Sequence, residues 1–251
     1  VSELAARIEE NTARVNERIA AAARRAGRDP AGVRLVAVTK THALDVIAAA
    51  CEAGLRHFGE NRVEEAEGKI IAGRAALPGD VVWHMIGHIQ SRKTASVAAL
   101  FEWVHSIDRF RIARRLSEMA QGLGRTLEVL LEINASGEQG KFGYDLSRWP
   151  DDREQAAAFF AEVEGLLALP ALRWGGLMTM APLVDDPEAV RPVFRRLRRL
   201  SDALRGRFPA QEWPHLSMGM SGDFEVAVQE GATMVRIGTA VFGPRREVPA
   251  R

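Results

Sequence analysis

Between Val33 and Ile237 the chain repeats one pattern: a short β-rich apolar run, then a stretch whose apolar positions fall at helical spacing. Strands are expected at 33–39, 55–58, 81–86, 103–106, 127–133, 172–178, 215–218 and 233–237. Helices are expected at 44–53, 61–73, 91–100, 109–122, 153–169, 187–207 and 223–230. Strands that alternate with helices pair in parallel through right-handed crossovers, which narrows the chain to very few architectures. Eight units of this kind predict an α/β fold, a (β/α)8 TIM barrel. Residues 2–26, with Leu4, Ile8, Val15 and Ile19 near one face and Ser2 suited to a helix start, add an N-terminal helix. A doubly wound open sheet is the second possibility. No internal repeat, low-complexity segment or linker interrupts the pattern, so 1–251 is read as a single domain.

Charge and cysteine usage exclude several function classes. With 34 basic and 33 acidic residues the net charge is +1, without the basic surplus of a nucleic-acid or membrane-surface protein. No apolar run approaches the roughly 20 residues that span a bilayer, and the N-terminal stretch lacks an apolar signal core. One cysteine, Cys51, excludes an intrachain disulfide and a cysteine-based zinc cluster, and it fits a reducing, cytoplasmic setting. The run Arg195, Arg196, Arg198 and Arg199 interleaves with Val193, Phe194, Leu197 and Leu200, so it reads as the solvent face of an amphipathic helix rather than a phosphate site.

Of the basic residues only 4 are lysines: Lys40, Lys69, Lys93 and Lys141. Arginine cannot be deprotonated to a nucleophile and lysine can, so a lysine retained in so arginine-rich a chain draws attention to its amine. Functional groups of barrels cluster at the C-terminal ends of the strands, and Lys40 follows the first strand directly. Apolar walls there lower an ammonium pKa and free an amine that condenses with an aldehyde; the alternative is a strand-end lysine reaching solvent. Two glycine turns, in LSMGMSGDFEVAV and VRIGTAVFG, follow strands seven and eight, where barrels hold phosphate. Ser217, Ser221 and Thr239 supply hydroxyls beside them. An aldehyde carrying a phosphate points to pyridoxal 5′-phosphate. Arg236, two residues before the last turn, is placed to face the ring nitrogen and keep it unprotonated, or else to make a structural ion pair.

These segments resemble the YggS/PROSC family of pyridoxal-phosphate-binding homeostasis proteins, whose barrel is that of the N-terminal domain of alanine racemase. The matching stretches run in order along nearly the whole chain: NTARVNERIAAAARRAGRDP, AVTKTHALDVI, HFGENRVEEAEGKI, WHMIGHIQSRK, HSID, INASGEQGKFG, GGLMTMAP and LSMGMSGDFEVAVQEGATMVRIGTAVFG. The resemblance implies a Schiff base on Lys40, phosphate contacts at Ser217, Gly238 and Thr239 with backbone at Met218 and Ile237, and Arg236 at the pyridine nitrogen. It places Asn61, Met178 and Met180 along the cofactor. Thr39 stands where a serine is common, and His42-Ala43 replaces a more usual residue–proline pair. The implied role is storage, buffering or delivery of the cofactor to apo pyridoxal-phosphate enzymes by a monomer with little or no catalysis. The chain stops eight residues after VRIGTAVFG, so the second domain that gives a racemase its tyrosine base is expected to be absent.

Two rival readings are enzymes. A racemase or lyase would use Lys40 as its base. A metal-dependent hydrolase would use Glu60, His84 and His88, but Gly87 breaks the helical geometry that an H-x3-H pair needs, and no metal is expected.

Overall fold

A computed structural model describes residues 2–244; Val1 and 245–251, included in the one-domain reading, lie outside the described residues. The strands are β1 Arg34–Val38, β2 His57–Glu60, β3 Val82–Met85, β4 Trp103–Ile107, β5 Leu127–Asn134, β6 Tyr144–Asp145, β7 Leu172–Met178, β8 His215–Ser217 and β9 Met234–Ile237. The helices are α1 Glu3–Arg25, α2 Leu44–Glu52, α3 Val63–Ala76, α4 Thr94–Leu100, α5 Phe110–Gly122, α6 Arg153–Leu167, α7 Arg191–Arg207, α8 Phe224–Gln229 and α9 Thr239–Phe242. All strand pairs are parallel, β4 pairs with β5 and β9 with β1, so eight strands close into a barrel and two-residue β6 hangs on β5 outside it. This is the single-domain (β/α)8 barrel with an N-terminal helix that the alternation predicts. None of the described helices is long and apolar enough to cross a membrane.

Most differences from the expected bounds lie at element ends. The second strand begins at His57 rather than Leu55, because α2 ends in a tight closure: Gly54 has φ 87° and Leu55 N–H returns to Ala50 O at 2.9 Å. Leu55 is therefore part of a helix cap and not of the strand. Residues 91–93 and 187–190 wind as 3-10 turns before α4 and α7. The short α9, in a segment read only as a glycine turn, follows β9 directly.

α1 is capped by Ser2, whose hydroxyl accepts from Ala5 N–H at 3.1 Å. It buries Ile8, Val15 and Ile19, each worth roughly 1.5–3 kcal/mol of transfer free energy, against α2, α8 and α9. The helix thus braces the two elements that carry the last glycine turns. The apolar core fills the shell between strands and helices. The barrel interior is different. Branched aliphatics dominate most barrel interiors, whereas here it also takes in His57, His84, His105, Ser217, Glu132 and Arg236.

Candidate functional site

At the C-terminal mouth of the barrel, residues at or after the ends of four of its strands line a cavity of about 230 Å³. Val38 and Lys40 come from the end of β1, Ser221 and Gly222 from the turn before α8, and Gly238 and Thr239 from the turn before α9. Side chains alternate along a strand, so Lys40 continues the inward row of Val36 and Val38. His42 and Leu183 complete the rim, Leu183 being 93% exposed. Other depressions lie away from the strand ends, between Trp149 and Arg195 and across α3, α4 and α5.

The two glycine turns are tied together. Arg236 N–H donates to Gly219 O at 2.9 Å, and Met218 N–H to Met234 O at 3.1 Å. Gly219 has φ 96°, and an added Cβ would fall 2.9 Å from Phe224 Cα, so only glycine lets this turn close over the start of α8. Asp223 holds the same turn, accepting from Met220 N–H at 2.6 Å.

Arg236 forms part of the cavity floor. It is 4% exposed; its Nη1 donates to Ser217 Oγ at 2.7 Å and its Nη2 to Thr179 O at 2.9 Å. Burial pushes its pKa down to about 10, opposed by Glu132 and Asp223, so the guanidinium stays charged at neutral pH. Burial, with Asp108 nearby, pushes the Glu132 carboxyl up to about 7, against the pull of Arg236. Below Ser217 three imidazoles follow in file: Ser217 Oγ to His105 Nδ1 at 2.8 Å, His105 Nε2 to His84 Nδ1 at 2.9 Å, and His84 Nε2 to His57 Nδ1 at 3.0 Å.

The sequence-derived candidates separate into groups. Lys40, Arg236, Gly238 and Thr239 meet at the cavity, together with Ser221. Ser217 lies beneath it with its hydroxyl engaged by Arg236 and His105, so it contacts the lining only through the arginine. Met218 and Ile237 belong to the apolar shell, and Met178 is fully buried beside Glu132 and Ser217 in strand register. Asn61 and Met180 are partly exposed strand-end residues that do not line the cavity; Met180 O accepts from Lys141 Nζ at 3.2 Å. Glu132, Thr179, His57 and His105 are additions the sequence reading did not name, and His84 entered it only as a metal-ligand candidate.

The metal reading fails on geometry. Glu60 is wholly buried against α3, accepting from Lys69 Nζ at 2.8 Å and Thr39 Oγ1 at 2.7 Å. His84 is inside the barrel, and His88 pairs with Asp108 at 3.0 Å and stacks on Phe142. No three metal-ligating side chains converge among the described residues.

Comparison with known proteins places this geometry. The family model of the alanine racemase N-terminal domain matches residues 11–246. A pyridoxal phosphate homeostasis protein of Pseudomonas aeruginosa is 46% identical over 95% of this chain and 96% of its own. One from Escherichia coli K12 is 43% identical over 95% and 97%. The solved structure of PipY from Synechococcus elongatus, with PLP bound, has a TM-score of 0.78 at 35% identity, covering 94% of this chain and all of PipY. The chain therefore belongs to the pyridoxal phosphate homeostasis protein family, built on the barrel of the alanine racemase N-terminal domain.

Proposed function

We propose that this chain binds pyridoxal 5′-phosphate covalently through Lys40 and serves in its intracellular homeostasis, with little or no catalysis of its own. The observation that carries the reading is the meeting of Lys40, Arg236 and two glycine turns around one cavity. The lining fits the group part by part. Lys40 offers an amine. Ser221 and Thr239 offer hydroxyls, and Gly222 and Gly238 beside them let a phosphate dianion come close to the backbone. Arg236, held by Ser217 and Thr179 through Nη1 and Nη2, lines the cavity and has five N–H donors in all, so it suits a ring nitrogen as a cationic donor. When bound, the cofactor supplies an aldehyde that condenses with primary amines and releases water. PipY, which is similar over its whole length, carries PLP, and the P. aeruginosa and E. coli relatives are named for pyridoxal phosphate homeostasis.

None of the other lysines lines the cavity. Lys69 bridges Glu60 and Glu65, Lys93 pairs with Glu64, and Lys141 with Glu138. The expectation of little catalysis is supported by the described residues, none of which stands as a clear second base across the cavity from Lys40. Racemisation needs proton transfer on both faces of a carbanion. The single tyrosine, Tyr144, donates its hydroxyl to Glu162 at 2.7 Å; burial and that carboxylate push its pKa up, and it does not line the cavity. Lys40 and His42 both leave the same loop. A cationic Arg236 also disfavours the protonated ring that acts as a strong electron sink. The recipients proposed are apo pyridoxal-phosphate enzymes.

Alanine incubated with the loaded protein in deuterated water tests this reading. Slow α-deuteration with retained chirality, or none, is expected. Rapid loss of optical purity that disappears in Lys40→Ala would make the chain a racemase.

A further inference from the structure

We propose that the file Ser217–His105–His84–His57 is a one-way hydrogen-bond chain that fixes where the Arg236 guanidinium points, with Ser217 and His105 as its positioning residues. The inference rests on the cavity being a pyridoxal-phosphate site in which Arg236 meets the ring nitrogen.

The direction follows from donor counting. A guanidinium only donates, so Ser217 Oγ is the acceptor in its 2.7 Å contact with Arg236 Nη1. Ser217 is fully buried, and its own proton needs an acceptor; His105 Nδ1 stands 2.8 Å away. His105 Nδ1 is then the bare nitrogen, its proton is on Nε2, and that proton goes to His84 Nδ1 at 2.9 Å. The same step repeats from His84 Nε2 to His57 Nδ1 at 3.0 Å, which leaves the last N–H on His57 Nε2, at the N-terminal end of β2. Reversing the chain would give Ser217 two donors and strand its hydroxyl proton in a buried site, at the full desolvation cost of an unmade bond.

The surrounding charges keep the file neutral. Burial lowers the pKa of His84 and His105 well below the ordinary histidine value. Arg34 acts on His57, His84 and His105, and Arg236 and His215 act on His105, all in the same direction. Trp103 packs the file in place, stacked on His84 and edge-on to His105. A neutral chain with a single polarity holds Ser217 in the orientation that receives Arg236, while Thr179 O holds the other arm of the fork at 2.9 Å.

The test compares binding of pyridoxal 5′-phosphate with binding of its analogue in which ring nitrogen is replaced by C–H. Wild-type protein should favour the natural cofactor by about tenfold or more, as befits a hydrogen bond to a charged group. His105→Leu should reduce that ratio at least threefold with phosphate recognition intact, and His105→Asn, whose amide oxygen still accepts from Ser217, should restore most of it. A merely structural role would weaken both ligands alike and leave the ratio unchanged, which overturns the inference. No preference in wild-type protein would overturn the reading of Arg236 itself. A second measurement needs no variant: nitrogen-15 NMR of the unloaded protein should show His84 and His105 neutral, with Nε2 protonated, from pH 5 to 8. An Nδ1–H tautomer, or protonation near pH 6, would contradict the chain.

Discussion

At the scale of single residues, position decided what the sequence could show. Lys40 and Arg236 were legible because each ends or nearly ends a strand whose apolar neighbours set its direction. Glu132 was not, since LEVLLEI reads equally well with its glutamates turned outward. In the closed barrel both face away from the apolar shell: Glu128, near the start of β5, reaches the exposed Arg173, whereas Glu132, four residues on, is 3% exposed inside. Its carboxyl makes a stability prediction. The folded pKa, raised to about 7 by burial first and Asp108 second, means that Glu132 holds its proton more tightly folded than unfolded. Its contribution to stability is full below the unfolded pKa and lost as pH rises through about 7. Glu132→Gln has no such proton, so melts of the cofactor-free protein should show the variant gaining roughly 2–3 kcal/mol on wild type between pH 5 and pH 9. A constant difference across that range would mean that Glu132 is not buried in this way.

At the scale of elements, the alternation of strands and helices gave every barrel strand, because period-2 and period-3.6 patterns survive in short segments. The ends were less legible: β2 starts late because Gly54 folds Leu55 back onto α2, a tertiary closure that an apolar run does not announce. The turns after β8 and β9 were legible as glycine clusters, but which serine lines the cavity was not. Ser217 and Ser221 lie in the same motif, and only the fold shows Ser217 under Arg236 and Ser221 on the lining. Replacing Ser221 and Thr239 together with alanine should therefore weaken pyridoxal 5′-phosphate binding, by roughly 1.5–3 kcal/mol for each lost bond to the dianion, and leave pyridoxal almost untouched. Calorimetric titration with the two ligands checks it; equal weakening of both would put the phosphate elsewhere.

Across the whole molecule, the barrel divides its labour along its axis. One end opens on Lys40 and the two glycine turns, the interior carries the polar file beneath Arg236, and α1 packs on α2, α8 and α9 outside. The remaining lysines lie away from the cavity: Lys69 reaches from α3 to Thr39 O and Glu60, while Lys93 pairs with Glu64 and Lys141 with Glu138. Lys40 is the one lysine among the described residues that lines the cavity, so one covalent attachment point is expected there. Loading the protein with pyridoxal 5′-phosphate, reducing with borohydride and mapping the adduct by mass spectrometry reads that point directly. The adduct should sit on Lys40 and vanish in Lys40→Ala; an adduct on Lys69, Lys93 or Lys141 in the wild-type protein would contradict the account.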